Sequence, residues 1–381
     1  KNHEEKHMKK FVKRLLVMLT AAVLVTAGTV PAKAAERGLA TKEDTNADKP
    51  SINGVCGILM DAKTGKILYA KNIDKKSYPA SITKILTTLV AIENNDDLYS
   101  TVKFSRHAVN SIEPGSTHIG IKAGEEIPLM DVLYGIMLES ANEACNGVAE
   151  HTSGSIEKFA DLMNKKAKEI GCKGSHFMNP NGLHNDKHYV TARDMALITK
   201  AALQNPMFRK IACSSHYFMS GTNKEKKGRE LWNHHKMVKQ TMFLYKGVEG
   251  GKTGYTTRAG GTLVTFAKRG DTELISVILR GNGYELYRDT IKLFDYGFKN
   301  YKSVAPFAGL NCDLSENQEN PVTQMACKLS PYQLPLGGSL SDFSVLLTKD
   351  QDSAELKVYT ENNKIYASYG DEDLGSTKIS Y

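Results

Sequence analysis

The spacing of apolar residues changes period twice along this chain, and that change limits the folds open to it. From Ser81 to Leu203 apolar side chains recur at helical intervals; on both sides they recur as strands. Residues 55–60 and 66–70 are short apolar runs joined by Asp61-Ala-Lys-Thr-Gly65, which reads as a hairpin turning at Thr64-Gly65. After Gly250-Gly251 strands are predicted over 251–256, 260–268 and 273–280, with a turn at Arg269-Gly270-Asp271 and a closing helix over 287–301. Such a chain builds one sheet from both of its ends and inserts a helical block between them. The fold class is α/β in the α+β sense: an antiparallel sheet plus a helical block, followed by a small β-rich module.

Within the block, Ile82, Ile85, Leu86, Leu89, Val90 and Ile92 cover nearly every face of one helix, which makes it central and buried. Further helices are predicted over 128–138, 142–151, 156–170 and 191–203, and Asn179-Pro-Asn-Gly182 is a turn between the last two. Beyond Ser303 the composition becomes acidic and turn-rich, with strand-like runs at 343–347, 355–359 and 364–369.

The first residues are not part of the fold. Met8-Lys-Lys-Phe-Val-Lys-Arg14 is cationic, residues 15–30 are uncharged and mostly apolar, and Ala32-Lys-Ala34 offers the small residues a signal peptidase reads. So short a run with a small-residue exit favours a cleaved signal over an uncleaved anchor, and an exported protein. Residues 1–7 precede a start at Met8. The expected division is 1–34 extension and signal, 35–50 polar linker, 51–302 catalytic domain and 303–381 small β-rich domain.

Of the net charge of +8, residues 1–34 carry +5; residues 303–381 carry −6, so 35–302 carry +9. A basic body suits an anionic partner such as cell wall or lipid headgroups, or is simply a solvated surface of basic bias. No arginine-rich or aromatic-interleaved stripe supports nucleic acid. The six cysteines lie far apart without Cys-x-x-Cys, and Cys312 with Cys327 is the one pair that shares the small domain. No metal site is expected: His184 and His188 flank a turn-rich stretch, and the adjacent His234-His235 cannot easily chelate one ion.

Three triplets carry the chemistry: Ser81-Ile-Thr-Lys84, Ser140-Ala-Asn142 and Lys252-Thr253-Gly254. Each recurs elsewhere, as Ser100–Lys103, Ser155–Lys158 and Lys63–Gly65 for example, but only this set combines order, spacing and setting. Ser81 and Lys84, one helical turn apart, share a face. With Pro79 upstream as a helix entry, Ser81 stands at the positive end of the dipole, where its amide can serve an oxyanion. A serine hydroxyl needs a base, and lysine is one only when neutral, which burial promotes. Ser140 brings a hydroxyl able to relay a proton to a leaving amine. Asn142 brings a carboxamide to hold substrate backbone or steady Lys84, or else it is a helix N-cap. Lys252 falls on a strand whose edge an extended peptide can join while the ammonium attracts its C-terminal carboxylate. Gly254 has no side chain to obstruct that ligand.

The chain resembles the low-molecular-mass penicillin-binding proteins that act as serine D-alanyl-D-alanine carboxypeptidases. The likeness rests on Tyr78-Pro-Ala-Ser-Ile-Thr-Lys84, Ser140-Ala-Asn-Glu-Ala144, Asn179-Pro-Asn-Gly-Leu183 and Gly251-Lys-Thr-Gly-Tyr-Thr256 with Ala259-Gly260. It runs from about residue 55 to 301, and less sharply beyond. It implies a β-lactamase/transpeptidase-like domain followed by a small β-domain, with no cofactor. It also implies removal of the terminal D-alanine from peptidoglycan stem peptides ending in D-Ala-D-Ala, in cell-wall biogenesis, and acylation by β-lactam antibiotics. By position, Ser81 is then the acylated nucleophile, Lys84 its general base and Ser140 the second proton-handling residue. Asn142, Lys252, Thr253, Gly254 and Tyr255 bind substrate, Lys252 taking the carboxylate, and the backbone amides of Ser81 and Tyr255 form the oxyanion hole. Two departures stand out: Tyr255 where some relatives carry histidine, and Asn233-His-His235 where the family commonly reads Asn-x-Asn. Relatives often end in an amphipathic membrane-binding helix, so peripheral membrane contact through such an anchor is expected, although the sequence to Tyr381 does not display one.

A class A β-lactamase uses similar triplets but needs a glutamate-positioned water, and its Glu-x-x-x-Asn spacing is missing between Asn142 and Lys252. A penicillin sensor needs a membrane-spanning transducer. The nearest rival is a D,D-endopeptidase, since the same site accepts a longer leaving group.

Overall fold

A computed structural model describes residues 49–238, 242–306, 343–361 and 364–378. The hairpin is present as β1 (Cys56–Asp61) and β2 (Ile67–Lys71), with Asp61 Oδ1 accepting from the Thr64 amide at 2.7 Å and Gly65 at φ +80°. Lys63-Thr-Gly65 is therefore a surface turn. The other end of the chain supplies β7 (Val248–Thr256), β8 (Gly260–Arg269) and β9 (Thr272–Gly281), and together they form one antiparallel sheet in the order β2-β1-β9-β8-β7. β1 pairs with β9 in a register that sets Ile58 opposite Val277, joining the two ends of the chain.

Both faces of this sheet are buried, which the alternation of side chains makes visible. Ile58, Met60, Val264, Phe266, Ile275 and Val277 pack into the helical block. Leu59, Leu263, Ala267, Leu274 and Ile278 turn the other way, onto the closing helix α8 (Glu285–Asn300). The block contains α1 (Lys84–Glu93), α2 (Arg106–Asn110), α3 (Leu129–Leu138), α4 (Asn142–Ser153), α5 (Ile156–Ile170), α6 (Ala192–Leu203) and α7 (Pro206–Ala212). As its all-round apolar pattern requires, α1 is buried continuously from Lys84 to Ala91.

Several short elements escaped the periodicity: α2, α7, and the two-stranded pairs β3 (Thr101–Lys103) with β4 (Glu126–Pro128) and β5 (His216–Met219) with β6 (Arg229–Trp232). Three to seven residues are too few to display a repeat, and tertiary contact decides them. The closing helix ends at Asn300, and Tyr301 instead opens β10 (Tyr301–Val304), which pairs with β11 (Val345–Thr348) from the acidic segment. A three-stranded sheet, β12 (Leu356–Glu361), β13 (Lys364–Tyr369) and β14 (Glu372–Lys378), completes the module. Among the described residues no helix is long and apolar enough to cross a membrane. The signal segment, most of the linker and the Cys312–Cys327 pair lie outside the described residues.

Candidate active site

The structure brings the three triplets together at the exposed edge of the sheet. Ser81 is not on the α-helix proper, as its place after Pro79 suggested. It lies in a 3₁₀ turn, Ala80–Thr83, and the α-helix begins at Lys84. The tighter turn eclipses positions i and i+3 and so stacks Ser81 and Lys84 on one side. Lys84 Nζ lies 3.0 Å from Ser81 Oγ. It also donates to Asn142 Oδ1 at 2.7 Å and to the Asn181 carbonyl at 2.6 Å. Asn142 is thus not the N-cap of α4, a position taken by Ala141; its carboxamide steadies the lysine.

This donor set has a direct chemical meaning. Carbonyl oxygens only accept, so Asn142 Oδ1 and Asn181 O each demand a proton from Nζ. An ammonium satisfies both and spends its third proton on Ser81. A neutral amine satisfies both with its two protons and is left with its lone pair facing the serine hydroxyl. Lys84 is fully buried. That burial pushes its amine down to about 8, with Cys145 and Glu143 acting in the opposite sense. The site holds a base that is accessible near neutral pH and aimed at its target.

Ser140 sits between α3 and α4 with φ +61°, a left-handed conformation that a non-glycine residue adopts only under constraint. Its Oγ is shielded and has no hydrogen-bond partner among the described residues. Lys252, on the edge strand β7, is 2% exposed and its Nζ donates to the Thr253 carbonyl at 3.1 Å. Burial, and then the like charge of Lys84, push it down to about 7. The cleft in front measures about 620 Å³, and its lining includes Ser81, Ser140, Asn142, Thr253, Gly254 and Tyr255. Lys252 is not part of this lining but shares a face of β7 with Gly254, toward the Ser81 turn, so its charge acts on the Lys84 side of the strand. Tyr255 is 73% exposed at the mouth.

Gly254 has a reason beyond the expected one. A Cβ there would meet Thr262 Oγ1 at 2.4 Å and the Ser81 nitrogen at 2.9 Å. The missing side chain makes room for the protein's own nucleophile turn, which Thr262 Oγ1 also anchors by donating to the Pro79 carbonyl at 2.9 Å. The result is that the Ser81 amide and β7 face one another across the cleft floor.

The two other Ser-x-x-Lys copies have structural roles. Ser155 caps α5, accepting from the Lys158 amide, and Ser100 Oγ bonds to His151. Of Asn233-His-His235, His235 is buried behind β7 against Thr265 at 2.9 Å, while His234 lines the cleft and pairs with Glu139 at 2.7 Å. Sequence reasoning missed Asn181 and Gly182. It read Asn179-Pro-Asn-Gly182 as a turn and as part of the family likeness but gave it no role, although the turn reaches the base with a backbone oxygen. Gly182, at φ +85°, abuts the nucleophile turn so closely that a Cβ would lie 1.9 Å from the Ala80 carbonyl oxygen. Also missed was His188, whose Nε2 lies 3.2 Å from Thr83 Oγ1 beneath the same turn.

Comparison with known proteins agrees with this geometry. Residues 43–283 match the model of the D-alanyl-D-alanine carboxypeptidase family Peptidase_S11. The chain is 33% identical to D-alanyl-D-alanine carboxypeptidase DacF of Bacillus subtilis over 77% of its length and 72% of that protein's. It is 32% identical to DacC of Escherichia coli over 69% and 66%. Among solved structures, Streptomyces K15 DD-transpeptidase superposes with a TM-score of 0.62 at 26% identity, covering 66% of this chain and 99% of that one. A D-alanyl-D-alanine carboxypeptidase from Mycobacterium tuberculosis superposes at 0.61 with 29% identity, covering 67% and 94%. With serine, lysine and edge strand assembled as described, the chain belongs to the D-alanyl-D-alanine carboxypeptidase family.

Proposed function

We propose that this protein is a serine D-Ala-D-Ala carboxypeptidase that removes the terminal D-alanine from peptidoglycan stem peptides and is acylated by β-lactams at the same serine. The observation that carries the reading is the placement of Lys84 Nζ against Ser81 Oγ and two carbonyl oxygens. The peptide lies along the edge of β7 by strand addition, its terminal carboxylate held by Thr253 and drawn by the Lys252 charge. Lys84 takes the Ser81 proton as Oγ attacks the penultimate carbonyl. The developing oxyanion accepts from the amides of Ser81 and Tyr255. Lys84 returns the proton it took to Ser140 as Ser140 passes its own to the departing D-alanine amine, and water, losing a proton to the freed Lys84 amine, then hydrolyses the ester and restores Ser81. No step calls for a metal or cofactor.

The accompanying assignments belong to the same proposal. Residues 51–302 form the catalytic domain and 303–381 an accessory β-domain. The chain is exported by its N-terminal segment to the outer face of the membrane or the cell wall, and a membrane anchor, where present, holds it there.

The test is release of D-alanine from diacyl-Lys-D-Ala-D-Ala by residues 35–381, with Ser81→Ala alongside. Release that disappears in the mutant establishes reaction and nucleophile together. A stable penicillin adduct without release refutes carboxypeptidase action and favours an endopeptidase.

A further inference from the structure

Of the three groups that Lys84 meets, two are side chains fixed on the 3₁₀ turn and on α4. The third, the Asn181 carbonyl, is main chain in a loop, and its position depends on whatever holds the loop. Internal bonds shape the turn: Asn181 Oδ1 accepts from the Leu183 amide at 2.9 Å and Asn179 Oδ1 from the Gly182 amide at 2.8 Å. On the α1 side, Thr87 Oγ1 donates to the Pro180 carbonyl at 2.6 Å. On the α4 side the tie is Asn146, one helical turn beyond Asn142 and 1% exposed. Asn181 Nδ2 donates to Asn146 Oδ1 at 3.0 Å. Asn146 Nδ2 in turn donates to the Ala108 carbonyl at 3.2 Å and to Ser111 Oγ at 3.1 Å.

Ala108 and Ser111 belong to α2 and its C-cap. From there the chain runs directly into residues 113–117, which form one wall of the cleft. The chain from the substrate wall to Ser111, and hydrogen bonds from Ser111 through Asn146 and Asn181, therefore lead to the base.

We propose that Asn146 is a positioning residue for acylation: it clamps Asn181 so that its carbonyl stays on Lys84, and it couples that contact to the 113–117 wall. The assignment rests on the reading of Lys84 as general base. When the clamp loosens, the amine loses one of the two acceptors that orient it, and its lone pair is no longer confined to the direction of Ser81. Asn146 itself touches no reacting atom.

The same contact adjusts the proton affinity of Lys84, because a carbonyl oxygen favours ammonium over amine. The other groups facing Lys84 are Glu143 and Cys145 from α4, Lys252 from β7 and His188 from the segment after the turn. Asn146→Leu leaves all of these in place and releases Asn181. Asn146→Asp keeps an acceptor for Asn181 Nδ2 but brings a carboxylate toward the lysine. The two variants push the acid limb of the pH–rate profile in opposite directions, which a purely structural role does not do.

The experiment is single-turnover acylation by a fluorescent penicillin from pH 6 to 10, normalised to acylatable sites, for wild type, Asn146→Leu, Asn146→Asp and Ser81→Ala, with melting curves for each. Asn146→Leu is expected to lower the plateau about tenfold or more and move the acid limb down. Asn146→Asp is expected to retain more of the plateau and move the limb up. Should Asn146→Leu not fold, Asn146→Ala, which frees Asn181 without adding bulk or charge, is read by the same plateau and limb. A plateau within twofold of wild type and an unmoved limb in the variants that fold overturn the role of Asn146. A wild type that takes no penicillin overturns the reading of the site itself and this inference with it.

Discussion

Replacing Gly182 with alanine tests the site where the sequence is least informative. The added Cβ would lie 1.9 Å from the Ala80 oxygen, 2.5 Å from the Ala80 carbonyl carbon and 2.9 Å from Thr83 Oγ1. Restoring tolerable contact requires a separation of about 1 Å between the 179–183 turn and the Ala80–Thr83 turn, since both partners are backbone in close packing. If the first turn retreats, the Asn181 oxygen leaves Lys84; if the second does, Ser81 itself moves. The left-handed φ of +85° adds about 1–2 kcal/mol for a residue with a Cβ. A displacement of about 1 Å in a catalytic constellation costs about 10²-fold in rate. Gly182→Ala is therefore expected to remain folded at 25 °C, to melt a few degrees lower, and to be acylated by a fluorescent penicillin about a hundredfold more slowly. A folded Gly182→Ala protein acylated within threefold of the wild-type rate would refute the claim that this contact sets the nucleophile and base in register.

Acylation should rise with pH through about 8 as Lys84 loses its proton. Lys84→Met removes the like charge that, after burial, depresses Lys252, so the Lys252 ammonium should persist to higher pH when its titration is followed by NMR; an unmoved Lys252 titration contradicts the coupling of the two lysines. Burial, the largest cause in each case, depresses His188 and His235 to about 3. Below the ordinary value of about 6.5 the unfolded chain therefore binds protons that the folded one refuses. Urea titrations of the protein should show stability falling by about 1.4 kcal/mol per pH unit for each histidine between pH 6 and 4, against which a flat profile would count. Arg229 holds the fully buried Glu125 by bonds of 2.8 and 3.0 Å. Arg229→Met should cost about 3–5 kcal/mol in denaturant unfolding by removing the counter-charge of a carboxylate left with only Thr222 Oγ1 and the Lys122 amide, and a loss below about 1 kcal/mol would show the pair to be dispensable.

What could be read in advance follows from how each residue acts. Ser81, Lys84, Ser140 and Asn142 are recognised by side chains at fixed spacings, and their meeting at one place was legible in the order of the triplets. The sheet was equally legible, because β1, β8 and β9 are short, nearly continuous apolar runs and Gly65 and Gly270 mark the turns that follow β1 and β8. Asn181 was not, because it serves Lys84 with a backbone oxygen that any residue type supplies. Gly254 was noticed for the ligand it leaves room for, but not for the Ser81 amide it also leaves room for, a contact between segments far apart in sequence. Lys252 was placed on the correct strand, but its burial depends on the packing of β7 against the 3₁₀ turn. The 3₁₀ turn itself has no composition that separates it from the start of an α-helix.

The central position of β9 governs the order in which this protein can fold. Cys56 pairs with Leu279, so the first strand made must wait for the last strand of the catalytic sheet before either face of the pairing closes. Contacts of such sequence separation form slowly, whereas the helices between Lys84 and Ala212 are local and can assemble as soon as they emerge. Until β9 arrives, β1 and β2 are a lone hairpin, marginal in water, and β7 has no sheet on which to present its edge to Ser81. A chain cut short before Thr272 therefore carries every residue of the catalytic constellation and yet has no cleft in which to use them.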